Sequence, residues 1–246
     1  MADLLSIESL RAGYGEAVVL PEMSLRLAEG EVLALLGRNG TGKTTLINSI
    51  VGVTRRFGGR IALAGRDITA LRPDPRARAG IGWVPQERNI FRSLTVEENM
   101  TAVAQDGPWT VERVYEMFPR LKERRSNFGN QLSGGEQQML AVGRALTLNP
   151  KVLLLDEPTE GLAPIIVEEL LRALGTITRS GGICSIIVEQ NAQKILGLAD
   201  RAVILERGAI VHDAASSALK ADSTALERFL GVAAKTANPS SPGLSR

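Results

Sequence analysis

Three short stretches hold residues whose types and spacing could do chemistry. The first, Gly37-Arg38-Asn39-Gly40-Thr41-Gly42-Lys43-Thr44, fits G-x-x-x-x-G-K-[ST] at every fixed position. Glycines let such a loop curl so that successive backbone N–H groups converge on an anion. A helix opening near Lys43 adds the positive end of its dipole. On this pattern Gly37, Asn39, Gly40 and Gly42 shape a phosphate cradle that runs on through Thr45. Lys43 reaches the β- and γ-phosphates and the Thr44 hydroxyl ligates Mg²⁺. The motif points to a nucleoside triphosphate and is silent on what the energy is used for.

The second stretch is Asp156-Glu157, closing the apolar run 153–155. A carboxylate at the tip of a buried strand lies where open α/β sheets bind ligands. Asp156 suits the Mg²⁺ shell, and Glu157 is placed to orient or deprotonate an attacking water. Taken alone, the pair also fits a solvated acidic turn, a reading that the phosphate loop upstream displaces. The third stretch is Leu132-Ser133-Gly134-Gly135-Glu136, just ahead of a helical pattern carrying Met139, Val142 and Leu146. It places Ser133, Gly134 and Gly135 at a helix N-terminus, an anion-binding geometry. It also fits a plain serine N-cap completed by Glu136.

The elements that must position these residues are legible from periodicity. Residues 31–36 form an apolar run into the glycine loop, and 43–51 place Leu46, Ile47, Ile50 and Val51 at helical spacing. Short strand patterns occupy 4–9, 17–28, 58–64 and 81–85, with Pro21 and Glu22 predicting a break between two strands. Residues 71–79, with two prolines and three arginines, read as loop or linker. Thr95 followed by Glu98 is an N-cap signature, with amphipathic segments at 96–104 and 110–118. Buried-strand patterns return at 151–156 and 183–189, a helix spans 164–178, and 201–212 reads as a hairpin turning at Arg207-Gly208. Alternating β and α pieces predict a largely parallel sheet with helices on both faces. The tail from Ala233 reads as disordered.

Composition narrows the setting. The 246 residues carry 29 Lys and Arg against 27 Asp and Glu, a net charge of +2, too balanced to argue for nucleic acid or a membrane surface. Only 4% is aromatic, which disfavours a base-stacking RNA binder. No apolar run approaches the roughly 18 residues of a membrane span, and residues 1–10 do not read as a signal peptide. The single Cys184 fits a reducing compartment and a packing role. Arg76, Arg78 and the run 122–125 read as solvated faces, and His212 as a surface residue.

Together these motifs resemble the ATP-binding subunits of ABC transporters over nearly the whole chain. The resemblance implies an α/β fold: a P-loop NTPase core with a mainly parallel sheet, an N-terminal antiparallel β subdomain and a helical subdomain inserted at roughly 87–150. The ATP-binding domain would span 1–232. Tyr14, in RAGYG, matches the family's aromatic that stacks on adenine. Gln86, in GWVPQ, matches the glutamine that contacts Mg²⁺ and the attacking water and faces the membrane partner. The segment near 90–98 would help form the groove for a permease helix. Such subunits work as head-to-tail dimers, the phosphate loop of one facing Ser133-Gly134-Gly135 of the other, with ATP and Mg²⁺ between them.

The stretches 35–46, 80–99, 131–146, 153–164 and 188–191 more narrowly resemble LivF-type subunits of importers for branched-chain amino acids, amides, urea and aromatic acids. That likeness implies a LivG-type cassette in a heterodimer rather than a homodimer. It also implies two permease subunits, an external binding protein acting indirectly, and a place on the inner face of the cell membrane. Two departures from the general family stand out. Gln190 stands where a histidine is usual, and a glutamine can donate a hydrogen bond but cannot take up a proton and become positively charged. Glu160-Gly161-Leu162-Ala163 replaces the common Ser-Ala-Leu-Asp. They predict a slow site in this chain beside a histidine-containing site in its partner. Two other functions remain open on sequence: a soluble ABC ATPase acting on nucleic acid or ribosomes, and a largely structural nucleotide-binding subunit. One module without heptads argues against the former, and intact Asp156-Glu157 against the latter.

Overall fold

Two long strands open the chain, β1 (Asp3–Tyr14) and β2 (Ala17–Ala28), and the short apolar β3 (Val32–Leu36) leads into helix α1 (Lys43–Val51). With β4 (Arg55–Leu63) and β5 (Arg66–Asp67), the first two strands form an antiparallel sheet in the order β2-β1-β4-β5. The structure is a computed structural model that describes residues 3–231, the side chains at 180 and 181 excepted; the tail expected over 233–246 lies outside them. The predicted break at Pro21-Glu22 is absent. Leu20 pairs with Ala12 and Met23 with Leu10, so Pro21 and Glu22 fill a bulge in an edge strand. A missing N–H costs no ladder bond there.

The stretch read as linker is a helix, α2 (Pro73–Ala79). Its prolines occupy the first turn, where backbone N–H groups have no intrahelical partner. Arg76 of this helix is only 4% exposed, not part of a solvated face. Its guanidinium donates to the carbonyls of Ser49, Ile50, Leu71 and Thr69 at 2.7–2.9 Å. Ser49 and Ile50 offer the orphaned carbonyls at the end of α1, where a cation is also favoured by the helix dipole. Arg78 and residues 122–125 are exposed as expected.

After β6 (Ile81–Val84) come α3 (Val96–Thr101), α4 (Val111–Met117), α5 (Pro119–Glu123) and α6 (Gly134–Leu146), all before β7 (Val152–Asp156). Because β6 and β7 pair directly, these helices form one long crossover on the sheet. Thr95 caps α3 reciprocally with Glu98. Then follow α7 (Pro164–Gly181), β8 (Cys184–Glu189), α8 (Ala192–Ile195), β9 (Arg201–Glu206), β10 (Ala209–Ala215), α9 (Ser216–Ala221) and α10 (Ser223–Leu230). The second sheet runs β10-β9-β3-β8-β7-β6, with β9 through β6 parallel and β10 antiparallel.

Both faces of this sheet are buried, which explains its unbroken apolar strands. Ala34, Leu36, Leu153 and Leu155 face the helices α3 to α7, while Leu33, Leu35, Val152 and Leu154 face α1 and the antiparallel sheet. Burying each such leucine is worth about 1.5–3 kcal/mol. Cys184 belongs to the second core, its sulfur accepting from the Gly30 N–H at 3.0 Å, and burial pushes its thiol pKa up. His212 lies within β10 rather than at a strand end, half-buried with its ring 6.0 Å from Phe229.

Candidate functional site

The parallel strands deliver their C-terminal ends to one edge, and the phosphate loop leaves the end of β3 there. At Gly37 (φ 149°) a Cβ would come within 2.6 Å of the Leu205 carbonyl oxygen and 2.7 Å of Thr41 Oγ1. Only glycine lets the loop press this closely on β9. Thr41 Oγ1 donates to the Arg38 carbonyl at 2.8 Å, and the Gly208 N–H donates to the Thr41 carbonyl at 2.9 Å. Gly208 belongs to the two-residue turn Arg207-Gly208, both residues at positive φ as a hairpin of this twist requires. Gly42 caps α1 without a side chain, so the N–H groups of Lys43, Thr44 and Thr45 keep their capacity for an anion. Thr45 is itself buried; Asn39 and Gly40 are exposed.

Lys43 is almost fully buried. Its Nζ donates to the carbonyls of Gly37 and Arg38 at 2.8 and 3.0 Å and lies 3.6 Å from Glu157 Oε1. Burial lowers its pKa, and Glu157 and Asp156 oppose that shift. Asp156 is 2% exposed and its Oδ1 has no hydrogen-bond partner. Burial pushes its pKa up to about 6, with the nearby Thr44 hydroxyl working the other way. An orphaned buried carboxylate oxygen beside a hydroxyl fits a hard divalent cation. Among the described residues no group of three or more His, Cys, Asp or Glu could hold an ion by itself. Phosphate oxygens and water must therefore complete any such shell.

Glu157 is also buried and takes a left-handed backbone (φ 48°), its N–H donating to Val188 at 3.1 Å. Such backbone strain in a non-glycine residue gathers at functional sites. Gln190 Nε2 donates to Glu157 Oε2 at 2.8 Å. The structure thus brings Lys43, Thr44, Asp156, Glu157 and Gln190 together.

Three expectations fall elsewhere. The Gln86 amide donates to Glu160 Oε2 at 2.5 Å, tying it to the turn beyond β7. Tyr14 is 45% exposed and its hydroxyl accepts from Asn48 Nδ2 at 2.8 Å, which leaves its ring open beside α1. Ser133 N-caps α6: its Oγ accepts from the Glu136 N–H at 3.3 Å, while Glu136 Oε2 accepts from the Ser133 N–H at 2.8 Å. No hydrogen bond or ion pair among the described residues joins 133–135 to 37–44. Gly135 is needed for packing, since a Cβ there would sit 2.8 Å from Ile166 of α7.

Sequence reasoning missed Thr159, Glu189 and Lys194. The Thr159 N–H and Oγ1 donate to Glu189 Oε1 at 3.3 and 2.5 Å, and Lys194 Nζ donates to Thr159 Oγ1 at 3.0 Å. The available signal was an acid closing the buried and largely apolar run of β8.

Known proteins narrow the class. The family pattern described as ABC transporter matches residues 20–160. BraG, a high-affinity branched-chain amino acid transport ATP-binding protein of Pseudomonas aeruginosa, is 40% identical over 93% of this chain and 100% of its own length. LptB, a lipopolysaccharide export system ATP-binding protein, is 38% identical in Acidithiobacillus ferridurans, over 94% of this chain and 98% of that protein. In Escherichia coli K12 the identity is 34%, over 92% and 97%. An ATP-binding cassette of an ABC transporter in its ADP conformation has a TM-score of 0.79 at 24% identity, covering 94% of this chain and 100% of that one. A dimeric post-hydrolysis cassette bound to ADP and Pi scores 0.75 at 24% identity, covering 86% and 98%. At that identity the two structures establish the fold.

A phosphate loop facing a buried acid pair on an open parallel sheet is the frame of a nucleoside triphosphatase. The chain belongs to the ABC transporter family, and within it is an ATP-hydrolysing subunit of a transporter.

Proposed function

We propose that this chain is the ATP-driven motor of an importer for branched-chain amino acids or related small compounds. It would work head to tail with a second, LivG-type cassette on two membrane permeases, at the inner face of the membrane and served indirectly by an external binding protein. The observation that carries the motor reading is the convergence of Lys43, Asp156, Glu157 and Gln190 on one phosphate loop. The likeness to BraG over its whole length supports the substrate class. The LptB relatives favour a second reading, export driven through a different membrane partner.

The chain's own groups divide the work. Lys43 leaves the Gly37 and Arg38 carbonyls for the β- and γ-phosphates, and the first N–H groups of α1 hold the remaining charge. Thr44 and Asp156 would hold Mg²⁺, with Gln86 joining on leaving Glu160. When bound, the ion neutralises charge on the phosphate oxygens. Glu157 orients the attacking water and takes its proton, and Gln190 fixes Glu157 by its 2.8 Å bond. Tyr14 presents its open ring to adenine. Ser133-Gly134-Gly135 serves the nucleotide of the facing cassette, consistent with its separation from this chain's own loop.

The permease contact is a cleft of about 340 Å³ lined in part by Val53, Trp83, Phe91, Val103, Arg144 and Leu148. Val53 and Phe91 are 47% and 43% exposed there, and Trp83 Nε1 is buried without a partner. This apolar floor with unused donors suits an amphipathic helix from the membrane subunit.

Light scattering on Glu157→Gln protein with ATP, alone and with a LivG-type partner, tests the assembly. ATP-dependent dimers only in the mixture are expected; dimers of the lone chain would overturn the heterodimer. Reconstitution with a branched-chain permease pair and its binding protein tests direction and cargo. Leucine-stimulated ATP hydrolysis is expected, and its absence would favour the export reading.

A further inference from the structure

We propose that Thr159 and Glu189 are positioning residues that set Glu157 against Gln190 for the hydrolytic step, an inference that rests on the roles given above to those two. Glu157 stands in a left-handed conformation that its own side chain does not favour. Something outside it must over-determine that geometry. Its Oε2 is held by Gln190, but Gln190 is exposed and lies just past the end of β8, so it needs a fixed base itself.

The base is Glu189. It is 4% exposed, and its Oε1 takes both the N–H and the hydroxyl of Thr159, which is 2% exposed. Thr159 is two residues beyond Glu157, and Glu189 directly precedes Gln190. Chain bonds and hydrogen bonds therefore close a ring: Glu157 to Thr159 along the chain, Thr159 to Glu189, Glu189 to Gln190 along the chain, and Gln190 back to Glu157. The Glu160 N–H donating to the Glu157 carbonyl at 3.1 Å tightens the turn that forms one side. Lys194 can only donate, so its bond to Thr159 Oγ1 leaves that hydroxyl's proton for Glu189. Thr159 and Glu189 are both buried, so the bonds between them are electrostatically strong. Neither Thr159 nor Glu189 need touch nucleotide or water; they act through the two residues they carry.

The test uses the full chain, with its partner cassette present if light scattering shows that one is required. Steady-state ATP hydrolysis is measured for Thr159→Val, Thr159→Ser and Lys194→Met. Opening the ring should lower kcat of Thr159→Val at least about tenfold with KM within about twofold, the pattern of lost alignment rather than lost binding. Thr159→Ser, which keeps the hydroxyl, should return to within about twofold of the parent. Lys194→Met changes an exposed side chain and should lower kcat about threefold at constant KM. In a Gln190→Ala background, where the ring is already open, Thr159→Val should slow hydrolysis by less than about twofold. Parent kcat in Thr159→Val overturns the proposal, whatever Lys194→Met does. So does an undiminished loss in the Gln190→Ala background, which would mark a general packing effect. Glu157→Gln is the control on the reading beneath it: full activity there removes the role of Glu157, and the proposal falls with it. An inactive Glu157→Gln beside a fully active Thr159→Val removes the proposal alone.

Discussion

Replacing Asp156 by Asn should stabilise the nucleotide-free chain while disabling its response to MgATP. Asp156 is buried at the end of β7 with Oδ1 unpaired, and burial raises its pKa from the usual 3.8 to about 6. That is about two pH units, each worth about 1.4 kcal/mol, so the folded state disfavours the ionised side chain by about 3 kcal/mol at pH 7. The attraction of Lys43 is already contained in that figure. An asparagine carries no charge but brings an amide needing partners, so the expected gain is about 1–3 kcal/mol. A raised carboxyl pKa gives stability that is full below about 3.8 and is lost as pH rises through about 6. The advantage of Asp156→Asn should therefore be near zero at pH 4 and complete by pH 7. Urea unfolding of both proteins at pH 4, 5, 6 and 7, without nucleotide, reads that difference, and titrations shared by the two proteins cancel. Saturating MgATP should stabilise the parent by about 2.7 kcal/mol at a hundred times its Kd and the variant far less. A variant less stable than the parent at pH 7, or an advantage independent of pH, would refute the reasoning.

Tyr14→Ala should raise the Kd for ATP about tenfold, the worth of one stacked base, while Tyr14→Phe stays within about twofold; fluorescent-nucleotide titration separates them. Arg76→Met should cost about 2–4 kcal/mol in urea unfolding, because it strands four carbonyls, two of them at the end of α1. Gly208→Ala would drive a Cβ to 2.0 Å from the Val19 carbonyl oxygen at φ +77°. It should destabilise the fold by more than about 2 kcal/mol and weaken ATP binding, since Gly208 also braces Thr41. Glu157→Gln should lower kcat about 10²–10⁴-fold with little change in ATP affinity, measured by phosphate release.

The parallel sheet and phosphate loop were legible because unbroken apolar strands such as 153–155 and a motif fixed at four positions depend on few alternatives. What escaped depended on partners distant in sequence. Pro21 looked like a strand end because the partners of its flanking residues, Ala12 for Leu20 and Leu10 for Met23, lie on another strand, and only the pairing shows the bulge. Arg76 looked solvated because its carbonyl partners at Ser49 and Ile50 belong to another helix. The prolines at 73 and 75 read as breakers, yet the first helical turn tolerates them. Glu189 was hidden for a similar reason: a lone acid at a strand end says nothing until Thr159 arrives beside it. Ser133 is the converse case, since its capping box is local and was read from spacing alone.

The brace between Gly208 and Thr41 sets an order of events in the life of the chain. The phosphate loop is synthesised early, but β8 and β9, the strands that flank β3, come from residues 184–206. At about 5–20 residues per second, roughly 10–30 s separate translation of Lys43 from that of Gly208. For most of that interval β3 has neither parallel neighbour, and until β9 is made the loop lacks the strand it presses on. A chain that ends before β9 would therefore lack both the strand against which Gly37 packs and the Gly208 bond to Thr41, so its phosphate loop would stand without the wall of the finished fold.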